Sequence, residues 1–239
     1  MESTLEQVRR WSQDFGPAEP ISIGWNCNTA HYLQVTRARR SAYPFDWIFS
    51  SPAIVADAIE RRFSDFIDPG YIVDFANRAG AGHRRNHARM FNHGSPNGSA
   101  SIRETYRRRI GRFLERFNSQ DSLCFIATVL PEPDRRPGWR NGFVHDFTVP
   151  DAGNLDIEYR LFLDIINRRP GRTSLVLIRQ WVAQPTQTIT VAGAKDCTLI
   201  LDFRATGHNG GLRFINTEDD ALCRQLYTTL TRFSVSGPS

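Results

Sequence analysis

Lysine is nearly missing from this chain: Lys195 is the only one, so 29 of the 30 basic residues are arginines. Paired cysteines are missing too. Cys27, Cys124, Cys197 and Cys223 stand far apart with no C-x-x-C pair, which excludes a zinc site of the finger or ribbon kind. No apolar run approaches the roughly 18–20 residues of a membrane span. The opening, MESTLEQVRRWSQDF, lacks the basic start, apolar middle and small-residue cleavage site of a signal peptide. These absences lead us to expect a cytoplasmic protein. A net charge of +5 spread along 239 residues, with no basic tail and no nucleic-acid motif, argues against a nucleic-acid partner. No cofactor fingerprint is present, and none is expected.

What is there is an ordinary globular composition, 40% hydrophobic and 23% charged, enough for one large domain over residues 1–239. Leu5, Val8, Trp11 and Phe15 recur at helical spacing in residues 2–15, before a Gly-Pro break. Ser51-Pro52 starts a helix with an apolar stripe from Ile54 to Phe63. Ser101 and Glu104 read as a capping box opening a helix to about Phe117. The runs 123–130 and 175–178 are almost continuously apolar, as in strands covered on both faces, and 188–191, 198–203 and 212–215 read as further strands. Helices are expected at 155–168 and from Thr217 onward. The alternation predicts an α/β fold, a partly parallel central sheet flanked by helices, with an antiparallel edge toward the C-terminal end. Residues 77–100 lack period and carry His83, His87 and His93; we expect an irregular loop, a kind of segment that is often functional.

Three of the cysteines sit in apolar or helical patterns and read as small buried hydrophobes. Cys27 does not. It follows Ile21-Ser22-Ile23-Gly24 in a polar turn, Trp25-Asn26-Cys27-Asn28, just before a helix expected from about Thr29 to Arg39. A strand-to-helix turn is where a nucleophile is placed, and the unpaired N–H groups of a first helical turn favour a thiolate and lower its pKa. A nucleophilic thiol needs a base. His93, flanked by Asn92 and Gly94, is the first candidate, with His87 and His31 as rivals, the latter four residues after the cysteine on the same helix face. Asp46, between Phe45 and Trp47, is placed to orient the histidine. Asn26 is the other source of an orienting amide or an oxyanion contact. Trp25, Asn26 and Asn92 are the candidate substrate-contacting residues. His83 and His87 have i, i+4 spacing but no accompanying carboxylate, so no metal site is expected. His145–Asp146 and Asp202/His208 are further carboxylate–histidine pairs. Arg103, Arg107, Arg108, Arg112 and Arg116 share one helix face, either a solvated surface or an anion-binding strip.

The opening I-S-I-G-x-N-C of residues 21–27 and the Pro44-Phe45-Asp46-Trp47 block resemble a bacterial domain family of unknown function described as putative papain-like cysteine peptidases. Its recurrent features are an S-L-G-x-N-C opening and a P-F-D-W block, then a histidine and a Y-x-R-R-I-x-R-F helix, here residues 106–113. The resemblance is close over residues 21–50 and loose over 20–200. It implies Cys27 as nucleophile and His93 as base, with Asp46 or Asn26 assisting, in hydrolysis or transfer at an amide or ester through a thioester. It also implies a papain-like α+β fold as the alternative architecture. Two other functions fit the residues: a lipase- or acylesterase-type α/β hydrolase with its base from the C-terminal part, and a non-enzymatic module binding an acidic glycan or nucleotide. Neither substrate (small molecule, peptide or glycan) nor oligomeric state follows from the sequence.

Overall fold

Strands that read as apolar on every residue demand cover on both faces, and the molecule supplies it. The computed structural model describes residues 2–129, 142–143 and 155–232. Within these, helix α1 spans Thr4–Phe15, β1 Glu19–Ser22, α2 Asn28–Val35, α3 Pro52–Glu60, β2 Ile72–Asp74, β3 Ala81–His83 and α4 Ala100–Phe117. Then come β4 (Leu123–Val129), α5 (Leu155–Ile166), β5 (Thr173–Trp181), β6 (Thr188–Lys195), β7 (Thr198–Arg204) and α6 (Thr217–Thr231). The main sheet has the order β1-β4-β5-β7-β6. Its first four strands are parallel and β6 runs antiparallel along one edge. The fold is therefore mixed α/β, with a mostly parallel five-stranded sheet and six helices among the described residues.

The two faces of the sheet divide by residue parity. Leu123, Phe125, Ala127 and Val129 of β4, with Leu175 and Leu177 of β5, join Ile54, Val55, Phe113 and Phe162 in one layer. Cys124, Ile126, Val176 and Ile178, with Leu199, Leu201 and Phe203 of β7, join Val8, Tyr32, Leu33, Leu226 and Leu230 in the other. Alternation along each strand is what a pleated sheet imposes, and each fully buried large side chain contributes about 1.5–3 kcal/mol. No helix among the described residues is long and apolar enough to cross a membrane.

Several local expectations change. Helix α4 is capped by Ser99, whose hydroxyl accepts from Ile102 N–H, so the helix starts ahead of the Ser101–Glu104 box. Residues 212–215 form no strand; a single bridge, Asn209–Phe214, is all that pairs there, and Ile215 is 74% exposed. Cys197, at the β6–β7 turn, is half-buried where a core position was expected. Residues 77–100 hold β3, which pairs with β2, and their His83, His87, Met90 and Phe91 are fully buried.

Candidate active site

The Cys27 turn lies just past the carboxyl end of β1, on the strand edge where sites of open parallel sheets gather. Gly24 makes the turn possible. A Cβ there would meet Thr29 Oγ1 at 2.7 Å, so only glycine lets the strand end pass this close to α2. The Gly24 carbonyl accepts from the buried Ser50 hydroxyl at 2.8 Å, and Trp25 N–H donates to Thr128 O across the sheet. Asn26 Oδ1 accepts from Asn28 N–H at 2.9 Å, closing an Asx turn around Cys27, which is the N-cap of α2.

A chain of buried amides locks the next layer. Gln180, at the end of β5, donates to Asn28 Oδ1 at 2.9 Å and accepts from Asn209 Nδ2 at 2.6 Å. Asn28 Nδ2 donates to Leu212 O, and Asn209 Oδ1 accepts from Gly211 N–H. All three amides are at most 2% exposed. They fix the 209–212 loop against the Cys27 turn. Sequence reading missed Gln180 and Asn209; their signal was a polar residue closing an apolar strand and another in a glycine turn.

His93 arrives from the opposite layer. Phe91 and Ala81 exchange both backbone hydrogen bonds at 2.9 Å, and Gly80, at φ +107°, lets residues 91 and 92 press where a Cβ would meet Phe91 O at 2.5 Å. Beyond the histidine, the Ser95 hydroxyl is held by Asp74 at the end of β2. So tethered, His93 puts Nε2 3.1 Å from Cys27 Sγ. The pair opens into a pocket of about 160 Å³ lined by Asn26, Phe49, Asn92 and the 210–212 loop.

Burial governs the electrostatics. The helix N-terminus was expected to depress the Cys27 pKa, but desolvation pushes it up to about 12. The backbone N–H of Cys27 itself pulls it down, and the nearby Asp46 carboxylate adds to the rise. Burial therefore favours the neutral thiol over the thiolate at this sulfur.

Asp46 makes no hydrogen bond or ion pair with His93. Its carboxylate, 1% exposed, accepts from Tyr43 N–H at 3.0 Å and pairs with Arg39 at 3.4 Å. Burial lifts its pKa to about 6 against the pull of the Tyr43 N–H and of Arg39. The expected orienting role therefore finds no contact, and the carboxylate closes the turn that seats Phe45 among Phe63, Phe66 and Phe113. Asn26 Nδ2 is different: the residue is 2% exposed and this amide nitrogen has no partner. Trp25, 5% exposed, stacks on Phe143 at 6.2 Å, and its indole Nε1 is likewise unpartnered. Asn92 lines the pocket, its carbonyl accepting from Arg78 at 3.3 Å.

The rival histidines are occupied elsewhere. His87 is buried between Phe49 and Phe143. His83 Nε2 lies 3.1 Å from Asp65 O, and its ring stacks on Tyr71. His31 packs edge-on against Tyr32, and burial lowers its pKa. Asp202 is taken by Arg179 at 2.6 Å, so the carboxylate of the Asp202/His208 pair is committed elsewhere. His145 and Asp146 lie outside the described residues. Among the described residues no cluster of three histidine, cysteine or carboxylate groups stands ready for a metal ion. Most of the α4 arginines are engaged locally. Arg103 binds Asn97 and Pro96 O, Arg108 binds Thr105, Arg112 binds Ala42 O, and Arg116 binds Asp121 and Glu19. A continuous anion-binding strip is not formed.

The arrangement is thus an α/β scaffold presenting a cysteine–histidine pair at its carboxyl edge. Residues 19–137, just under half of the chain, match the model of a family described as "Putative papain-like cysteine peptidase". The matched span contains Trp25, Asn26, Cys27, Asp46, Asn92 and His93; the Gln180–Asn209 support lies beyond it. No curated protein and no solved structure matches the chain.

Proposed function

We propose that the protein is a cysteine-nucleophile hydrolase or acyl transferase acting on an amide or ester through a thioester at Cys27. The observation that carries this is the 3.1 Å approach of His93 Nε2 to Cys27 Sγ. The family match over both residues supports it at the level of class. The proton bookkeeping follows from the raised thiol pKa. Sγ attacks the carbonyl carbon while its proton passes to Nε2, and the carbonyl electron pair moves onto oxygen. The Cys27 N–H and the unpartnered Asn26 Nδ2 stand at the pocket wall as donors for that oxyanion. Collapse expels the amine or alcohol, which takes the proton from Nε2. Water, or an acceptor in a transferase, then attacks the thioester with Nε2 as base, releasing the product and restoring the thiol.

The test is intact-mass spectrometry of the protein incubated with p-nitrophenyl esters, together with nitrophenolate release. The expected result is an acyl adduct on Cys27, absent in Cys27→Ala. No adduct and no release above the Cys27→Ala background overturns the proposal.

A further inference from the structure

The pocket at Cys27, about 160 Å³, has room for little more than a reacting carbonyl and its first substituents. It adjoins a larger cleft of about 560 Å³, and His93 and Leu212 line both. A volume of this size is typical of a ligand site. The walls are apolar, from Trp47, Ile102, Tyr106 and Leu212, and one cation, Arg109, faces in. Two observations set this cleft apart from ordinary surface. Trp47 holds φ at +66°, a left-handed conformation that is uncommon for a bulky side chain and is concentrated at functional sites. Arg109 differs from the arginines around it on α4. It is half-buried, its guanidinium sits 5.7 Å above the Tyr106 ring, and among the described residues no carboxylate or carbonyl hydrogen-bonds to it, although its charge acts at longer range on the Asp46 carboxylate. A half-buried guanidinium with no hydrogen-bonded partner among the described residues, in an apolar cleft beside the Cys27 thiol, keeps its donors for one planar anion, which it can bind with two parallel hydrogen bonds. A single cation matches a monoanionic carboxylate, not a phosphate dianion.

We propose that this cleft is the substrate subsite of the Cys27 centre and takes an apolar group ending in a carboxylate, with Trp47 and Tyr106 as walls and Arg109 as the carboxylate's partner. The inference rests on Cys27 being the attacking atom, so the test separates the two. Cys27 labelling would be followed by peptide mass spectrometry with 6-maleimidohexanoate and, in parallel, N-hexylmaleimide, which have the same reach and differ in the charged end. The expected result is a preference of about tenfold for the carboxylate reagent, the scale of a charge-assisted hydrogen bond. That ratio should fall to near one in Arg109→Gln, persist in reduced form in Arg109→Lys, and shrink with added salt. A ratio near one in the unmodified protein, or one that survives Arg109→Gln, overturns the subsite while leaving the nucleophile intact. A Cys27 that reacts with neither reagent while Cys197 is labelled overturns both.

Discussion

The two halves of the Cys27–His93 pair are held by opposite means. Cys27 sits in a turn fixed from beneath by fully buried groups: Ser50, Asn28, Gln180 and Asn209 bond one another or the adjacent backbone, and the nearby Thr29, Thr128 and Tyr227 hydroxyls form their own buried cluster. His93 is exposed, and its position depends on a two-residue backbone bridge, a close pass at Gly80 and the Ser95–Asp74 contact. The comparison teaches that position and chemistry are separable here. The sulfur's place and its raised pKa are both set by burial, whereas the base we propose for it is a surface residue.

Removing the histidine should give the largest effect and break the comparison most cleanly. His93→Ala is expected to slow acyl-adduct formation at Cys27 by about 10²–10⁴-fold, the usual worth of a positioned base, with the thermal midpoint nearly unchanged because the side chain is exposed. A large loss of melting temperature would show that the histidine also holds the fold. The opposite result is expected at the buried end. Gln180→Leu removes the hydrogen bond to Asn28 Oδ1 and the one from Asn209 Nδ2, and the loss of stability is expected at about 1–3 kcal/mol, read by urea unfolding. An unfolding midpoint within error of the parent would mean the amide chain is not a support. The smallest effect sharpens the role of Asp46. Its folded pKa, raised to about 6, lies above its ordinary value, so the folded state binds the extra proton. The stability this contributes is fully present below about pH 4 and is lost as pH rises through about 6. Asp46→Asn should remove that decline, changing the pH–stability slope by at most about 1.4 kcal/mol per pH unit in this window. Identical slopes in the two proteins would contradict the burial we describe.

How far the sequence foretold this depends on whether the information was local. The turn at Cys27 was legible because Gly24 and the flanking asparagines are turn chemistry within a few residues of one another. The sheet was legible because runs such as 123–130 and 175–178 are almost continuously apolar. His93 was legible only as one of several histidines until the family resemblance favoured it. The thiol's pKa was not legible, since the groups that bury it, Phe49 and the 210–212 loop, are far away in sequence. Asp46 misled for the opposite reason: an acid between two aromatics looks protected for catalysis, yet Tyr43 and Arg39, both within seven residues, already claim it. Arg109 was overlooked among its neighbours although its spacing from Tyr106, i+3, puts the two on one helix face. The Ser99 cap lost out to a better-looking box two residues on.

The strand order carries a consequence for assembly. Among the described residues β1 hydrogen-bonds to β4 and to no other strand, and the two are separated by about a hundred residues of chain. During synthesis the segment bearing Cys27 emerges well before β4 and has no strand to register against until residue 129 is available. The amides that brace it come later still, at Gln180 and Asn209. The braced Cys27 turn therefore forms only after Asn209 has been made, and a chain ending before β4 has no sheet on which to assemble it.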